Sequence, residues 1–195
     1  MSATLTAEPG RASLAAAAAA LAPRLGRITV EVRGPGRGAR GHAVGAGVLW
    51  HPDGLVLTNA HVADGDVTVV LADGRAFRAR LAARDPRRDL AALVIDASGL
   101  PAAEIGDSGA LRVGEVVLAV GNPWGLVRAL SAGLVHAVGP RAIHADLRLA
   151  PGNSGGPLAD AEGRVVGLNT MIVGGLAVAV PSREVRRFVR EQLRG

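Results

Sequence analysis

Ser154 has the sequence surroundings of a nucleophile. It lies in the segment Pro-Gly-Asn-Ser-Gly-Gly-Pro at positions 151–157. Glycines on both sides allow a tight turn that presents the hydroxyl and aims backbone N–H groups at one point. Such a turn can bind the oxyanion of an acyl-transfer reaction. We predict an oxyanion hole from Gly152, Asn153 and Ser154, chiefly from the N–H groups of Gly152 and Ser154. An ordinary glycine-rich turn would have the same local sequence.

The composition excludes several other kinds of active site. The chain contains no cysteine, and all 22 of its basic residues are arginine. Cysteine nucleophiles, Ser-Lys dyads, Schiff-base lysines and Walker A loops are therefore excluded. No pair of histidines has the spacing of a zinc protease motif, so we predict no catalytic metal and no cofactor. The G-x-G-x-x-G pattern at residues 36–41 links two predicted strands without opening a helix, and we expect a flexible loop there.

Histidine and aspartate residues upstream of Ser154 can complete a hydroxyl-activating site. Of the five histidines, His61 follows an apolar, strand-like run at residues 55–60, where it can face a cleft. Asp89 precedes the apolar run at residues 90–95, where a partly buried carboxylate can orient an imidazole. The nucleophile elbow of α/β-hydrolases also fits G-x-S-x-G, but it requires a histidine after the serine, and here every histidine precedes it. The alternatives are that His61 has a structural role and that Asp89 pairs with a neighbouring arginine.

Many short strands separated by turns must position these residues. Residues 27–33 alternate apolar and polar side chains, which is typical of a half-buried strand. Short apolar runs punctuated by Asp, Gly and Pro follow along most of the chain. This pattern favours sandwich or barrel packing, with residues 99–109 connecting two β units.

Two helices flank the predicted strands. The N-terminal helix is alanine-rich, is capped by Ser13 and ends near Pro23. The C-terminal helix spans residues 182–193, is capped by Ser182 and docks on the barrel surface through one apolar face. That face consists of Val185, Phe188 and Val189.

Three sequence signatures resemble those of the HtrA/Deg serine proteases. They are Thr-Asn-Ala-His-Val at 58–62, Asp-Pro-Arg-Arg-Asp-Leu-Ala at 85–91 and Gly-Asn-Ser-Gly-Gly-Pro-Leu at 152–158. The resemblance continues through residues 120–125 and 179–182, and it implies an all-β, chymotrypsin-like fold. Two perpendicular six-stranded β-barrels would carry short helices at both termini. The catalytic residues would be His61 and Asp89 from the first barrel and Ser154 from the second.

The resemblance also divides the chain into the parts of one protease domain. We expect an N-terminal segment and helix at residues 1–26, a first barrel at 27–108, a second barrel at 109–181 and a C-terminal helix at 182–195. No segment resembles the PDZ domain that often follows in this family, so we expect the protease domain only.

Supporting and substrate-binding residues are implied in the same way. Thr170 would support Asp89, and the backbones of Met171 and Ile172 would pair with a substrate peptide as an added strand. The primary specificity pocket would lie beside Arg148, Leu149 and Ala150. Arg148 could select acidic side chains, but an arginine turned towards solvent is the favoured interpretation.

The expected function is that of a serine endopeptidase acting on polypeptides through an acyl-enzyme. The alternative is a peptide-binding or chaperone-like module with low or switchable protease activity. A nucleic-acid partner is disfavoured, because the formal net charge is only +5 and the chain has two Trp, two Phe and no Tyr. An oligomer is possible but not indicated.

No apolar run reaches the roughly 18 residues that a membrane span requires, so we predict no span. The alanine-rich run at residues 12–22 is too short, and Glu8 stands where a secretory leader would be positively charged. A chain without cysteine suits a reducing compartment. We therefore expect a cytoplasmic rather than an exported protein.

Overall fold

Two closed antiparallel β-barrels of six strands each make up most of the molecule, in a computed structural model that describes residues 14–35, 42–122 and 129–193. The first barrel consists of β1 (Thr29–Pro35), β2 (His42–His51), β3 (Leu55–Thr58), β4 (Val67–Val70), β5 (Ala76–Asp85) and β6 (Leu90–Val94). The second consists of β7 (Val116–Gly121), β8 (Ala129–Val138), β9 (Ile143–Asp146), β10 (Pro157–Asp160), β11 (Val165–Val173) and β12 (Leu176–Pro181). The two six-stranded barrels and the flanking helices confirm the predicted fold class.

Each barrel closes because strands that are distant in the sequence pair with each other. The order is β1-β2-β3-β6-β5-β4 in the first barrel and β10-β11-β12-β9-β8-β7 in the second. In the first barrel, β3 lies beside β6, with Thr58 opposite Ala91. The turn after β3 therefore lies next to the turn before β6.

Three apolar clusters explain why the alternating strands close. One fills the first barrel and one fills the second, because alternate side chains of every strand point inwards. The third cluster lies between the barrels and the helices, and it includes Leu57, Leu118, Leu168 and Phe188. Each of these large side chains is at most 2% exposed, and burying one stabilises the fold by about 1.5–3 kcal/mol.

The N-terminal helix α1 (Leu14–Ile28) continues past the predicted end. The expectation that it ends near Pro23 is wrong, because the helix runs five residues further with Pro23 inside it. Proline removes one intrahelical hydrogen bond, but Leu25 and Ile28 are buried in the cluster between the barrels. The Thr29 hydroxyl then donates to the Leu25 carbonyl at the helix end. The predicted cap Ser13, the predicted loop at residues 36–41 and residues 123–125 lie outside the described residues.

The C-terminal helix α2 (Ser182–Gln192) docks as predicted through Val185 and Phe188, which are fully buried. Its predicted cap is wrong, since Pro181 holds the N-cap position and Ser182 is the first helical residue. The Ser182 hydroxyl instead donates to the Gly106 carbonyl at 2.8 Å and accepts from the Ser108 N–H at 3.1 Å. It ties α2 to the connection between the barrels.

Candidate active site

His61 and Asp89 lie against each other at the edge of the first barrel. His61 belongs to the turn after β3, and Asp89 lies directly before β6. The Nδ1 atom of His61 is 3.0 Å from Oδ1 and 2.9 Å from Oδ2 of Asp89. The backbone N–H of His61 also donates to Oδ1 of Asp89 at 3.1 Å. One carboxylate thus holds both the ring and the backbone of the histidine.

The backbone of Asp89 is in the left-handed region, with φ +53°. Aspartate is one of the few non-glycine residues that tolerate this region. The Asn59 side-chain amide donates to the Asp89 carbonyl at 3.0 Å, and Asp85 accepts the N–H groups of Arg87 and Arg88. These contacts hold the turn that aims the carboxylate at His61. Asn59 lies within the Thr-Asn-Ala-His-Val signature at 58–62, but no role was predicted for it.

Asp89 is held ionised by its partners. Burial raises the pKa of this carboxyl, but hydrogen bonds from His61 and from the Thr170 hydroxyl outweigh burial and hold the pKa below its usual range. The side chain of Asp89 is 23% exposed, whereas that of His61 is 51% exposed. The carboxylate is thus largely covered by its partners, Thr170 among them, whereas half of the imidazole is open to solvent.

Ser154 joins this group through Thr170 rather than through His61. Its hydroxyl donates to the backbone carbonyl of Thr170 at 3.0 Å. The Thr170 hydroxyl donates in turn to Oδ2 of Asp89. Among the described residues, no hydrogen bond links Ser154 to His61. The three side chains thus belong to one network, in which Thr170 lies between the serine and the carboxylate.

The turn before Ser154 has the geometry of a type II turn. Its third residue, Gly152, has φ +106°, and the N–H of Asn153 donates to the Ala150 carbonyl at 3.0 Å. The N–H of Asn153, which we predicted as an oxyanion donor, is thus used inside the turn. Within the described part of the chain, nothing accepts the N–H groups of Gly152 and Ser154. A type I turn would flip the Pro151–Gly152 peptide and reverse the direction of the Gly152 N–H.

Contacts across the barrels hold the Ser154 backbone. The N–H of Ala46 in β2 donates to the Ser154 carbonyl at 2.8 Å, and the N–H of Gly155 donates to Asn169 in β11 at 2.7 Å. Gly155 has φ +84°, and a Cβ there would lie 2.2 Å from the Ala46 carbonyl and from the Thr58 hydroxyl. Only glycine fits between the two barrels at this position, which fixes Ser154 relative to the turn that bears His61.

The predicted peptide-binding residues of β11 lie on an open strand edge. Met171 and Ile172 are 51% and 52% exposed, and they pair with β12 on one side. On the other side, the pairing of β11 with β10 ends at Leu168. The backbone of Asn169 still bonds to Gly155 and Gly156 on this side, so the edge that can accept another strand begins after Thr170.

The predicted pocket residues differ in their exposure. Arg148 is exposed and makes no hydrogen bond or ion pair with any described residue. Leu149 and Ala150 are half-buried, and Leu149 packs against the core of the second barrel. Arg148 is thus turned to solvent, which agrees with the interpretation favoured from the sequence.

Residues 45–168 match the family model described as "Trypsin-like peptidase domain". This chain belongs to the trypsin-like peptidase family. The matched segment contains three of the four residues of the network described above, His61, Asp89 and Ser154. Family membership supports serine-type endopeptidase chemistry, the class expected from the sequence.

Curated relatives confirm the resemblance to HtrA/Deg proteases. A probable periplasmic serine endoprotease DegP-like of Halomonas elongata is 38% identical over 178 residues, which cover 80% of this chain and 37% of the relative. A protein of the same name from Ectopseudomonas mendocina is 41% identical over 175 residues, covering 82% of this chain and 37% of the relative. The chain thus spans little more than a third of the length of these relatives.

Solved structures agree with the fold. The HtrA-type protease AlgW with a tripeptide has a TM-score of 0.80 and 33% identity, covering 89% of this chain and 63% of that one. An AlgW variant with a decapeptide has a TM-score of 0.79 and 28% identity, covering 90% of this chain and 67% of that one.

The relatives overturn the expectation of a cytoplasmic protein. They are named as periplasmic proteases, which points to an exported protein. The absence of cysteine did not discriminate, because a chain that closes two well-filled barrels needs no disulfide in either compartment. In residues 14–35, 42–122 and 129–193, no helix combines the length and apolar character needed to cross a membrane. The same residues contain no cluster of three or more side chains suited to a metal.

Proposed function

We propose that this chain is a serine endopeptidase in which Ser154 is the nucleophile, His61 the general base and Asp89 the orienting acid. The observation that carries the proposal is the hydrogen-bonded network from Ser154 through Thr170 and Asp89 to His61, next to two unoccupied N–H groups. The likeness to HtrA-type proteases supports it.

The mechanism begins with a change of partner for the Ser154 hydroxyl. Rotation about χ1 carries the hydroxyl from the Thr170 carbonyl to His61, whose Nδ1 is occupied by Asp89 and whose Nε2 therefore accepts the proton. The oxygen then attacks the peptide carbonyl, and a tetrahedral intermediate forms. The N–H groups of Gly152 and Ser154 stabilise its oxyanion.

Collapse of the intermediate completes the acylation. His61 returns the proton to the leaving amine, and an acyl-enzyme on Ser154 remains. Water attacks this ester while His61 takes its proton, and His61 then returns that proton to the Ser154 oxygen as the new carboxyl end leaves. Throughout both halves Asp89 stabilises the imidazolium, because its carboxylate stays ionised.

Polypeptide substrates fit the open edge of β11. An extended peptide can pair with the backbone at Met171 and Ile172, which places its next peptide bond beside Ser154. The AlgW structures contain a tripeptide and a decapeptide, which supports polypeptides as ligands here. Because Arg148 turns to solvent, we expect no preference for acidic side chains.

Covalent labelling tests the proposal. A fluorophosphonate should label the folded chain at Ser154, and Ser154→Ala should lose both labelling and hydrolysis of an unfolded protein with unchanged thermal stability. Ser131→Ala, a half-buried serine of β8, is the matched control and should retain both. A wild-type chain that neither labels nor hydrolyses, with or without added peptide, would contradict the proposal.

The described residues contain no hydrogen bond between Ser154 and His61, and this favours a second candidate function. A peptide-binding or chaperone-like module with low resting activity would keep the nucleophile paired with Thr170. In that case wild type and Ser154→Ala should capture unfolded protein equally, and labelling should be slow until a peptide is added. Rapid labelling without peptide would exclude this candidate.

A further inference from the structure

The peptide group between Ala60 and His61 is held at both ends by a charged side chain. Nε and Nη2 of Arg84 donate to the Ala60 carbonyl at 3.1 and 3.0 Å. The N–H of the same peptide group belongs to His61 and donates to Oδ1 of Asp89 at 3.1 Å. Charge-assisted hydrogen bonds are stronger than neutral ones, and the planar guanidinium offers two donors at once. The plane of the peptide before His61 is therefore fixed.

Arg84 donates the hydrogen bonds that the Ala60 carbonyl accepts. In the same turn, the Asn59 carbonyl accepts the N–H groups of Val62 and Ala63. No other donor in the described part of the chain reaches the carbonyl of Ala60, a residue only 2% exposed. Without the guanidinium, the carbonyl would have to rotate towards water to find a donor, and the His61 N–H would rotate with it away from Asp89.

Strand pairing places Arg84 beside the segment that carries Asp89. Arg84 lies on β5 opposite Ala91 of β6, and Asp89 lies just before β6. Two adjacent strands thus place a guanidinium and a carboxylate on opposite ends of one peptide group.

We propose that Arg84 is a positioning residue, which aligns the His61 imidazole with Asp89 by anchoring the Ala60–His61 peptide group. This inference rests on the proposed function. Because Arg84 acts on the alignment of the base and not on the peptide-binding edge, its loss lowers kcat roughly 10-fold and leaves KM within about two-fold. Arg84→Lys keeps part of the rate, since an ammonium can still donate one hydrogen bond.

The experiment compares Arg84→Met and Arg84→Lys with wild type and with Arg80→Met. Arg80 lies exposed on the same strand and makes no hydrogen bond or ion pair with any described residue. kcat and KM for a peptide substrate, the rate of fluorophosphonate labelling and the thermal unfolding midpoint are measured for each. Arg84→Met should slow labelling and turnover together, Arg84→Lys should fall between, and Arg80→Met should match wild type.

A double variant separates positioning from a merely structural role. In an Asp89→Asn background the imidazole is no longer aligned by a carboxylate, so Arg84→Met should cost less than about two-fold in kcat. An equal loss in both backgrounds, or an unchanged kcat in Arg84→Met, would overturn the inference. If Arg84→Met does not fold, Arg84→Lys and Arg84→Gln give the same comparison with polar side chains.

Failure of this inference differs from failure of the proposed function. An active wild type that Ser154→Ala inactivates, together with a fully active Arg84→Met, rejects the role of Arg84 alone. A wild type without hydrolysis or labelling rejects the serine endopeptidase.

Discussion

The hydroxyl of Ser154 donates to the backbone carbonyl of Thr170, and this contact defines the resting position of the proposed nucleophile. The Thr170 side chain holds the Asp89 carboxylate at the same time. Thr170 also directly follows Asn169, whose backbone bonds to Gly155 and Gly156, and it stands where the open edge of β11 begins. One residue therefore connects the nucleophile, the orienting acid and the strand edge on which a peptide is expected to bind.

Removing the Thr170 hydroxyl should weaken catalysis. We expect Thr170→Val to lower kcat roughly 10-fold, because Asp89 loses a donor that stabilises its ionised form. Thr170→Ser keeps the hydroxyl and should stay within about three-fold of wild type. Steady-state kinetics on a peptide substrate measure both, and equal losses in the two variants would show that the hydroxyl is unimportant.

Asp89 contributes a negative charge and also tolerates a left-handed backbone, and two substitutions separate the effects of these properties. Asp89→Asn should lower kcat by about 10³–10⁴ with little effect on stability, since asparagine tolerates φ +53°. Asp89→Ala should lose the same activity and in addition destabilise the fold by about 1 kcal/mol. Urea unfolding of both variants distinguishes the effects, and identical stabilities would mean that the backbone conformation costs nothing.

Gly152 sets the direction of one proposed oxyanion donor. An alanine at φ +106° is strained, so Gly152→Ala should favour the flipped peptide and lower kcat by about 10²–10³. Gly74, with φ +89° in the turn between β4 and β5, is the matched control. Gly74→Ala should lower stability without lowering kcat, and a comparable kcat loss in the control would attribute the effect to strain in general.

The ion pair between Asp107 and Arg183 should make stability depend on acidity. Two hydrogen bonds from Arg183, with one from the Gly109 N–H, lower the pKa of Asp107 to about 2 from an ordinary value of 3.8. A carboxyl whose pKa is depressed by folding stabilises the fold above the unfolded pKa, and this contribution disappears as pH falls from about 4 to 2.

Asp107→Asn isolates that contribution. The variant should unfold at a lower temperature than wild type near pH 6, and most of this difference should be lost by pH 2. Both groups are exposed, so the difference should be small and should shrink in high salt. Thermal unfolding from pH 2 to 6 at two salt concentrations measures it, and a difference that is as large at pH 2 as at pH 6 would contradict this account.

Much of the fold could be predicted because it follows from local patterns. The alternation of apolar side chains predicted β-strands, and turn residues divided them into two units. The apolar face of α2 predicted its docking through Val185 and Phe188. The end of α1 could not be predicted from Pro23 alone, because the burial of Leu25 and Ile28 between the barrels outweighs the local penalty.

The sequence alone established the side-chain types and their order, with His61 after a predicted strand, Asp89 before another and Ser154 in a glycine-rich segment. It thereby excluded thiol and lysine chemistry altogether. The hydrogen-bond partners became known from the three-dimensional fold. Ser154 pairs with Thr170, and the Asn153 N–H is used within its own turn. Ser182 bonds to the connection between the barrels, and Arg84 bonds to the Ala60 carbonyl. Each donor is chemically compatible with many acceptors in the chain. It bonds only to an acceptor that packing brings to about 3 Å, and packing cannot be read from local sequence.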